Sequence, residues 1–305
     1  MPSGTSIAGL CIAKNEADII EAMVRHNLGF LDHLHVVDND SADATPGILA
    51  ALHGELAGRL SWSVDPRAGH GQQAMTNEML PELAVRTDAA QVVLLDADEF
   101  IRAERTHFRE TLLASDVPVQ MEWMSYVPTP DDDAGERNPV ARITHRRKRE
   151  VLKQGKITVP RGLIGHAQVG AGNHSLIAGA RVPFLSDRGL KLAHFPVRSR
   201  EQLISKVLIG SWNLRLRGGP VKTEASHWRA LAERVLAGEA ITDADVHNVA
   251  LSYGVDVAVR VILDPLVPPG AVDLRYTPDN AALLERNLIA FAESCVRRLE
   301  GVSFE

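Results

Sequence analysis

The segment Val92-Val93-Leu94-Leu95-Asp96-Ala97-Asp98-Glu99-Phe100 is an apolar, strand-like run that stops abruptly at a cluster of carboxylates. Side chains two apart on an extended segment point to the same side, so Asp96 and Asp98 can converge on one metal ion, or on a metal and a neighbouring hydroxyl. Magnesium or manganese is the natural guest, because hard cations take oxygen ligands and often combine one or two carboxylates with the phosphates of a substrate. The same acids would also serve in a loop that caps the next helix, and a short acidic motif needs its context to decide.

That context is a repeating alternation. Ile7 to Ala13 suits a buried strand, with Lys14-Asn15-Glu16 after it and Asn15 as the expected N-cap of a helix carrying Ile20, Val24 and Leu28. His33 to Val37 reads as the second strand, followed by a helix bearing Leu49 and Leu52. Leu60 to Val64 reads as the third strand, Met75 to Val85 as a helix interrupted by Pro81, and Gln91 to Leu95 as the fourth strand. Strands alternating with helices indicate an α/β protein with a parallel sheet, whose ligands belong beyond the carboxyl ends of the strands. Polar clusters fall at all four of those ends: Lys14 to Glu16, Asp38 to Ser41, Gly69 to Gln73, and Asp96 to Glu99. Four such clusters on one edge of a sheet describe a binding crevice. The first loop has neither the G-x-G-x-x-G of a dinucleotide site nor a P-loop.

Composition narrows the classes further. A chain of 305 residues, 45% hydrophobic, can build a substantial core, and its formal charge of -6 argues against broad nucleic-acid affinity. Cys11 and Cys295 show no zinc or disulfide spacing, which suits a reducing cytoplasm. No apolar stretch approaches membrane-spanning length, so any membrane association, such as one at the inner face, would be peripheral. The last third is mainly helical by pattern. Helices are expected over Glu201 to Leu216, Trp228 to Ala237, Asp243 to Leu251 and Asn280 to Leu299, with Pro265, Pro268 and Pro269 breaking the pattern before the last. These helices could cover an acceptor, mediate dimerisation or approach a membrane.

The combination of Lys14-Asn15-Glu16-Ala17, the Val36-to-Asp43 run with Thr45 after it, and Leu95-Asp96-Ala97-Asp98-Glu99-Phe100 resembles the family-2-like glycosyltransferases, nearest to the branch whose first loop reads K-N-E. Leu192-Ala193-His194-Phe195 with Arg198-Ser199 is similar to a later element of that branch. The resemblance implies a GT-A fold, Rossmann-like and mostly parallel, over residues 1–218, with 219–305 as a helical extension. It also implies a nucleotide-diphosphate sugar donor, a uridine form first, and a glycan, glycolipid or other hydroxyl acceptor, with manganese or magnesium bridging the phosphates. Carried over residue by residue, it gives Asp38 and Asp40 to the nucleoside, Asp96 to the ribose or metal, Asp98 to the metal as principal ligand, and Lys14, Asn15 and Glu16 to the donor pocket. Asp40 in an Asx-turn and Glu16 in service of a helix dipole are the structural alternatives.

The chain departs from the family in one place. Where many members carry A-R-N before the D-x-D strand, it reads Ala74-Met75-Thr76-Asn77, so another cation must meet the phosphates. Arg198 and Lys206 flank the His194 element, and the run Arg146-Arg147-Lys148-Arg149 is the alternative source, although such runs are usually solvated. His194 is expected to complete the metal site ahead of His174, against the alternative of a core histidine. Glu122 and the Asp131-Asp132-Asp133 cluster offer the base for a hydroxyl acceptor, with Glu122 and Asp132 as the candidates. Trp123 and Tyr126 could present a stacking face to a sugar. A non-catalytic nucleotide-sugar or glycan-binding relative, and a sugar nucleotidyltransferase, are the competing classes.

Overall fold

Ile7, Ala8, Leu10 and Cys11 have no room for water on either side of their strand, and that strand becomes the centre of the molecule. In the computed structural model, which describes residues 4–67, 71–151, 154–216, 226–253, 259–267, 274–278 and 283–299, the chain runs as follows. The first half of the sheet is β1 (Ser6–Ala13), α1 (Ile20–Asn27), β2 (His33–Asp38), α2 (Thr45–Glu55), β3 (Leu60–Val64), α3 (Gln72–Arg86) and β4 (Ala89–Asp96). It continues through β5 (Glu99–Arg102), α4 (Arg105–Ala114), β6 (Val119–Ser125), the short α5 (Pro139–Arg142), β7 (His145–Arg147) and β8 (Gly155–Pro160). Three short strands, β9 (Gln168–Val169), β10 (Leu176–Ala178) and β11 (Ala180–Arg181), lead into β12 (Leu185–His194). Last come α6 (Arg200–Leu216), α7 (Ser226–Leu236), α8 (Asp243–Leu251), β13 (Val261–Leu263) and α9 (Leu283–Leu299).

The main sheet has the order β3-β2-β1-β4-β8-β6-β12-β5. Its first four strands are parallel, as the alternation predicts, and the remainder mixes directions: β8 runs antiparallel to both β4 and β6, and β5 antiparallel to β12. This is an α/β, Rossmann-like architecture, consistent with the expected GT-A fold, with helices over both faces and a helical C-terminal region. One core lies under α1, α2 and α4 and a second under α3. None of the described helices is long and apolar enough to cross a membrane.

Two local expectations change. Asn15 is not a helix N-cap: it sits at φ +56°, α1 begins at Ile20, and the Asn15 side-chain oxygen accepts the Ala42 amide from the neighbouring loop. Asparagine tolerates the left-handed region because its short polar side chain bonds locally. Pro81 does not interrupt α3, which runs through it from Gln72 to Arg86.

The C-terminal helices share a third core with the sheet domain, in which Val127 and Val197 meet Leu203, Val207, Leu231, Val246 and Ala250. Buried Glu21 of α1 accepts the backbone amides of Arg275, Tyr276 and Thr277, which ties a distant segment to the first helix. The expected boundary at 218/219 lies outside the described residues, as do Gly69, Pro268, Pro269 and Asn280.

β8 threads between β4 and β6 because Gly155 allows it: a Cβ there would stand 1.9 Å from the Met121 carbonyl oxygen and 2.7 Å from the Glu122 Cα. Gly155→Ala should therefore destabilise the protein by about 1–3 kcal/mol, as overpacking against backbone does. The check is urea unfolding, where a midpoint equal to the parent's would contradict this packing.

Candidate functional site

Two loops form the left wall of the crevice, and they hold each other. The Lys14 ammonium donates to the carbonyls of Asn39 (2.5 Å) and Asp40 (3.1 Å), the Asn15 amide donates to Ser41 Oγ, the Glu16 amide to Thr45 Oγ1, and the Ala17 amide to an Asp43 oxygen. Lys14 and Asn15 thus fix the exit of β2. Asp40 takes a left-handed turn (φ +53°). Asp38 is buried, one of its oxygens accepts the Ser41 amide, and the other has no hydrogen-bond partner; the side-chain oxygen of buried Asn39 also lacks one. Burial raises the Asp38 carboxyl, and the Ser41 bonds act against it.

At the centre lies a cluster of charge that the sheet buries. Lys156, on β8 and 1% exposed, donates to Asp96 at 2.6 Å and stands 3.8 Å from Glu99, which is fully buried. Gln72 donates to the other Asp96 oxygen at 2.5 Å. Both Glu99 oxygens are occupied: one accepts the Trp123 indole N–H (2.5 Å), the other the Asp96 amide (2.7 Å). Burial works against the Lys156 charge, but Asp96 and Glu99 outweigh it and raise its pKa well above the usual lysine range. Burial likewise pushes Glu99 up to about 8, with Lys156 pulling it back.

The second cation is Arg198, in the loop after β12. Its guanidinium donates to Asp18 (2.6 and 2.9 Å) and to Glu16 (2.6 Å) and stands 3.8 Å from Asp98, joining the first loop to the D-x-D turn. Burial pushes Glu16 up to about 7 against the pull of Arg198. Asp98 is buried, with Lys206 at 3.6 Å and His194 Nε2 at 3.7 Å. Burial alone would raise Asp98, yet His194, Lys206 and Arg198 bring it below the ordinary carboxylate value. Burial drops His194 to about 4, so its ring is neutral at pH 7 and the two basic side chains keep Asp98 ionised. Five carboxyl groups (Glu16, Asp18, Asp96, Asp98, Glu99) meet three cations (Lys156, Arg198, Lys206), and burial favours the protonated forms of Glu99 and, in part, Glu16 at pH 7.

His194 lies flat against Trp123, with ring centroids 4.4 Å apart, and its Nδ1 is buried with no hydrogen-bond partner. Leaving such a group unpaired costs about 1–3 kcal/mol. The β5–β12 register sets His194 directly opposite Glu99. His174 instead bonds the Gly155 carbonyl and meets Trp123 edge-on. Among the described residues no group of three or more His, Cys, Asp or Glu is arranged to hold a metal. Asp98 and His194 face each other with donor atoms uncommitted to hydrogen bonds, which fits a divalent ion that draws its remaining ligands from phosphate and water. Asp96 does not fit that role as it stands, because Lys156 and Gln72 hold both its oxygens.

The remaining expected residues lie elsewhere. Glu122 pairs with Lys191 at 2.7 Å on the wall of a separate cleft. Asp132 is tied to the amide and hydroxyl of Thr129 in its own loop. Tyr126 offers no stacking face: it is fully buried against Phe195, and its hydroxyl donates to the Asp264 carbonyl. Asn77, at the altered A-R-N position, holds both backbone groups of Val169. Sequence reasoning missed Lys156; the available signal was a lysine set between Gly155 and the β-branched run Ile157-Thr158-Val159.

No family profile and no curated protein sequence matches the chain. Among solved structures, it overlaps S. aureus TarS residues 1–349 at 14% identity, covering 76% of this chain and 70% of that one, with a TM-score of 0.39. Glucosyl-3-phosphoglycerate synthase from Mycobacterium tuberculosis, in complex with Mn2+, UDP-glucose and phosphoglyceric acid, overlaps at 18% identity, 72% and 82% coverage and a TM-score of 0.38. A second complex of that enzyme, with Mn2+, UDP and glucosyl-3-phosphoglycerate, overlaps at 21% identity over 40% of this chain and 45% of that chain, with a TM-score of 0.29. Overlaps at this level carry no argument about activity, and the chain's own residues must supply it.

The depressed pKa of His194 has a consequence for stability. Below about pH 6.5 the unfolded chain takes up a proton that the native ring refuses until about pH 4, so stability rises with pH through that window and is lost on acidification. His26 and His35 act in the same sense. In thermal melts from pH 7 to pH 4.5, His194→Gln should show a shallower loss of melting temperature than the parent. Parallel profiles would contradict a neutral, buried His194.

Proposed function

We propose that the chain is a metal-dependent glycosyltransferase that moves a sugar from a nucleoside-diphosphate donor, uridine diphosphate sugars first, to a hydroxyl acceptor. The observation that carries this reading is the Asp98–His194 pair at the strand ends, 3.7 Å apart, buried, and set in a cluster where carboxyl groups outnumber cations. A neutral imidazole beside an ionised carboxylate is a donor set suited to manganese or magnesium. A divalent ion bound there would neutralise the leaving diphosphate.

The chain's own residues do the rest. The unpartnered oxygens of Asp38 and Asn39 at the end of β2 are placed to accept N–H or O–H groups of the nucleoside. Arg198 and Lys206 stand beside Asp98 and stabilise charge developing on the diphosphate, which answers the missing arginine of Ala74-Met75-Thr76-Asn77. Lys156 occupies Asp96 and Glu99 and keeps the D-x-D turn rigid, so Asp98 meets the donor in one orientation. Of the two candidate bases, Asp132 is spent on its own turn, and Glu122 is paired with Lys191 and points to the other face of β6 from Trp123.

Two measurements separate this enzyme from a non-catalytic binder. Incubated with a UDP-sugar, manganese and a hydroxyl acceptor, the protein should release UDP; a binder would raise its melting temperature with the donor and release none. Asp98→Asn should keep the parent's fold by circular dichroism and weaken manganese-dependent UDP binding at least about tenfold, since an amide donates less charge to a cation than a carboxylate. Equal manganese-dependent affinity by calorimetry would remove Asp98 from the site.

A further inference from the structure

The sheet and its turns supply the Asp98–His194 pair, but one of the rings packed on it comes from the C-terminal helices. Tyr253, just past the end of α8, meets His194 edge-on with ring centroids 5.4 Å apart, while Trp123 lies flat on the same imidazole at 4.4 Å. Burial raises the Tyr253 phenol, Lys206 acts against that, and Asp98 and Asp96 add to it. The phenol therefore lies among the charged groups of the central cluster, and at pH 7 it is a neutral O–H donor. Tyr253 also packs against the third core, yet it is only partly buried, so a ligand in the crevice can reach it.

A side chain at a helix end is placed only as well as its backbone is held, and here a buried arginine holds it. Arg147 of β7, 2% exposed, donates to the carbonyls of Ala250 (3.0 Å) and Tyr253 (2.9 Å). The last carbonyls of a helix lack partners within it, and a cation there also meets the negative end of the helix dipole. Glu150 takes another Arg147 nitrogen at 3.1 Å, and its second oxygen accepts the Ser125 amide at 2.6 Å. Ser125 is the β6 residue directly opposite His194 of β12. One guanidinium thus ties the turn that carries Tyr253 to the strand beside His194. The chain then returns to the same strand, where Val261 of β13 pairs with Arg147 and the Lys148 amide donates to the Arg260 carbonyl.

We infer that Tyr253 is a donor-binding residue of the Asp98–His194 site, its phenol donating a hydrogen bond to the diphosphate beside Lys206, and that Arg147 is the positioning residue that holds Tyr253 there. This rests on the glycosyltransferase reading above. It gives the C-terminal helices a part in the reaction, because without the end of α8 the site lacks one of its donors. A hydrogen bond to a charged acceptor is stronger than one to a neutral group, and this one strengthens as the leaving diphosphate gains charge.

Two probes are titrated by calorimetry in the presence of manganese: UDP, and inorganic pyrophosphate, which carries the diphosphate without the nucleoside. Tyr253→Phe keeps the ring on His194 and removes only the hydroxyl. It should keep the parent's melting temperature and weaken both probes about tenfold. Arg147→Gln should weaken them as well, and in the Tyr253→Phe background it should cost no further affinity, because its effect passes through the phenol. If Arg147→Gln fails to fold, Arg147→Lys takes its place. Parental affinity of Tyr253→Phe for both probes overturns the assignment of Tyr253 while the donor reading stands. Additive losses in the double variant overturn the positioning role of Arg147. If pyrophosphate binds and Tyr253→Phe weakens it while UDP never binds, the phosphate contact stands and the nucleoside reading falls; if neither probe binds the parent, both readings fall.

Discussion

A lysine with no access to water, between two carboxylates, holds the centre of this protein together. Taking an ammonium and a carboxylate out of water costs several kcal/mol per ion, repaid only when geometry is good and the remaining lone pairs are satisfied. Here both conditions hold: Lys156 contacts Asp96 at 2.6 Å, and Glu99 accepts from Trp123 and from the Asp96 backbone. The cluster clamps β4 to β8 and, through Glu99 and Trp123, both to the β5 and β6 strands beside β12. Because Glu99 pairs with His194 in the β5–β12 register, the same clamp sets the buried imidazole that stands 3.7 Å from Asp98.

The cluster also divides the D-x-D motif into two parts. Asp96 and Glu99 are consumed by Lys156, and Asp98 is left with basic neighbours at 3.6 and 3.8 Å and a neutral imidazole at 3.7 Å. Burial pushes Glu16 up to about 7 and Glu99 up to about 8, against the pull of Arg198 and Lys156. Acids held by Lys156 and an acid free of such a clamp therefore lie within four residues of chain.

Local signals made the first hundred residues readable. Apolar strands bounded by polar turns gave β1 to β4 within a residue or two, and their parallel order followed from the helices between them. What stayed hidden was non-local. β8 enters the sheet some sixty residues after β4, antiparallel, and nothing near Gly155-Lys156 announces which strands it will join. Asn15 looked like a cap because caps and left-handed turns favour the same residue types. The Arg146 to Arg149 run reads as a solvated face, and that reading is half right: Lys148 and Arg149, beyond the end of β7, are exposed, whereas Arg147 is buried.

The central claim is that Lys156 and Asp96 stabilise the site as a pair, and a double-mutant cycle of unfolding free energies tests it most directly. Lys156→Met and Asp96→Asn should each be destabilising, the first by about 3–5 kcal/mol because it strands buried carboxylates. The double variant should lose less than the two single losses combined, with a coupling of about 1–3 kcal/mol. Strictly additive losses would contradict the account.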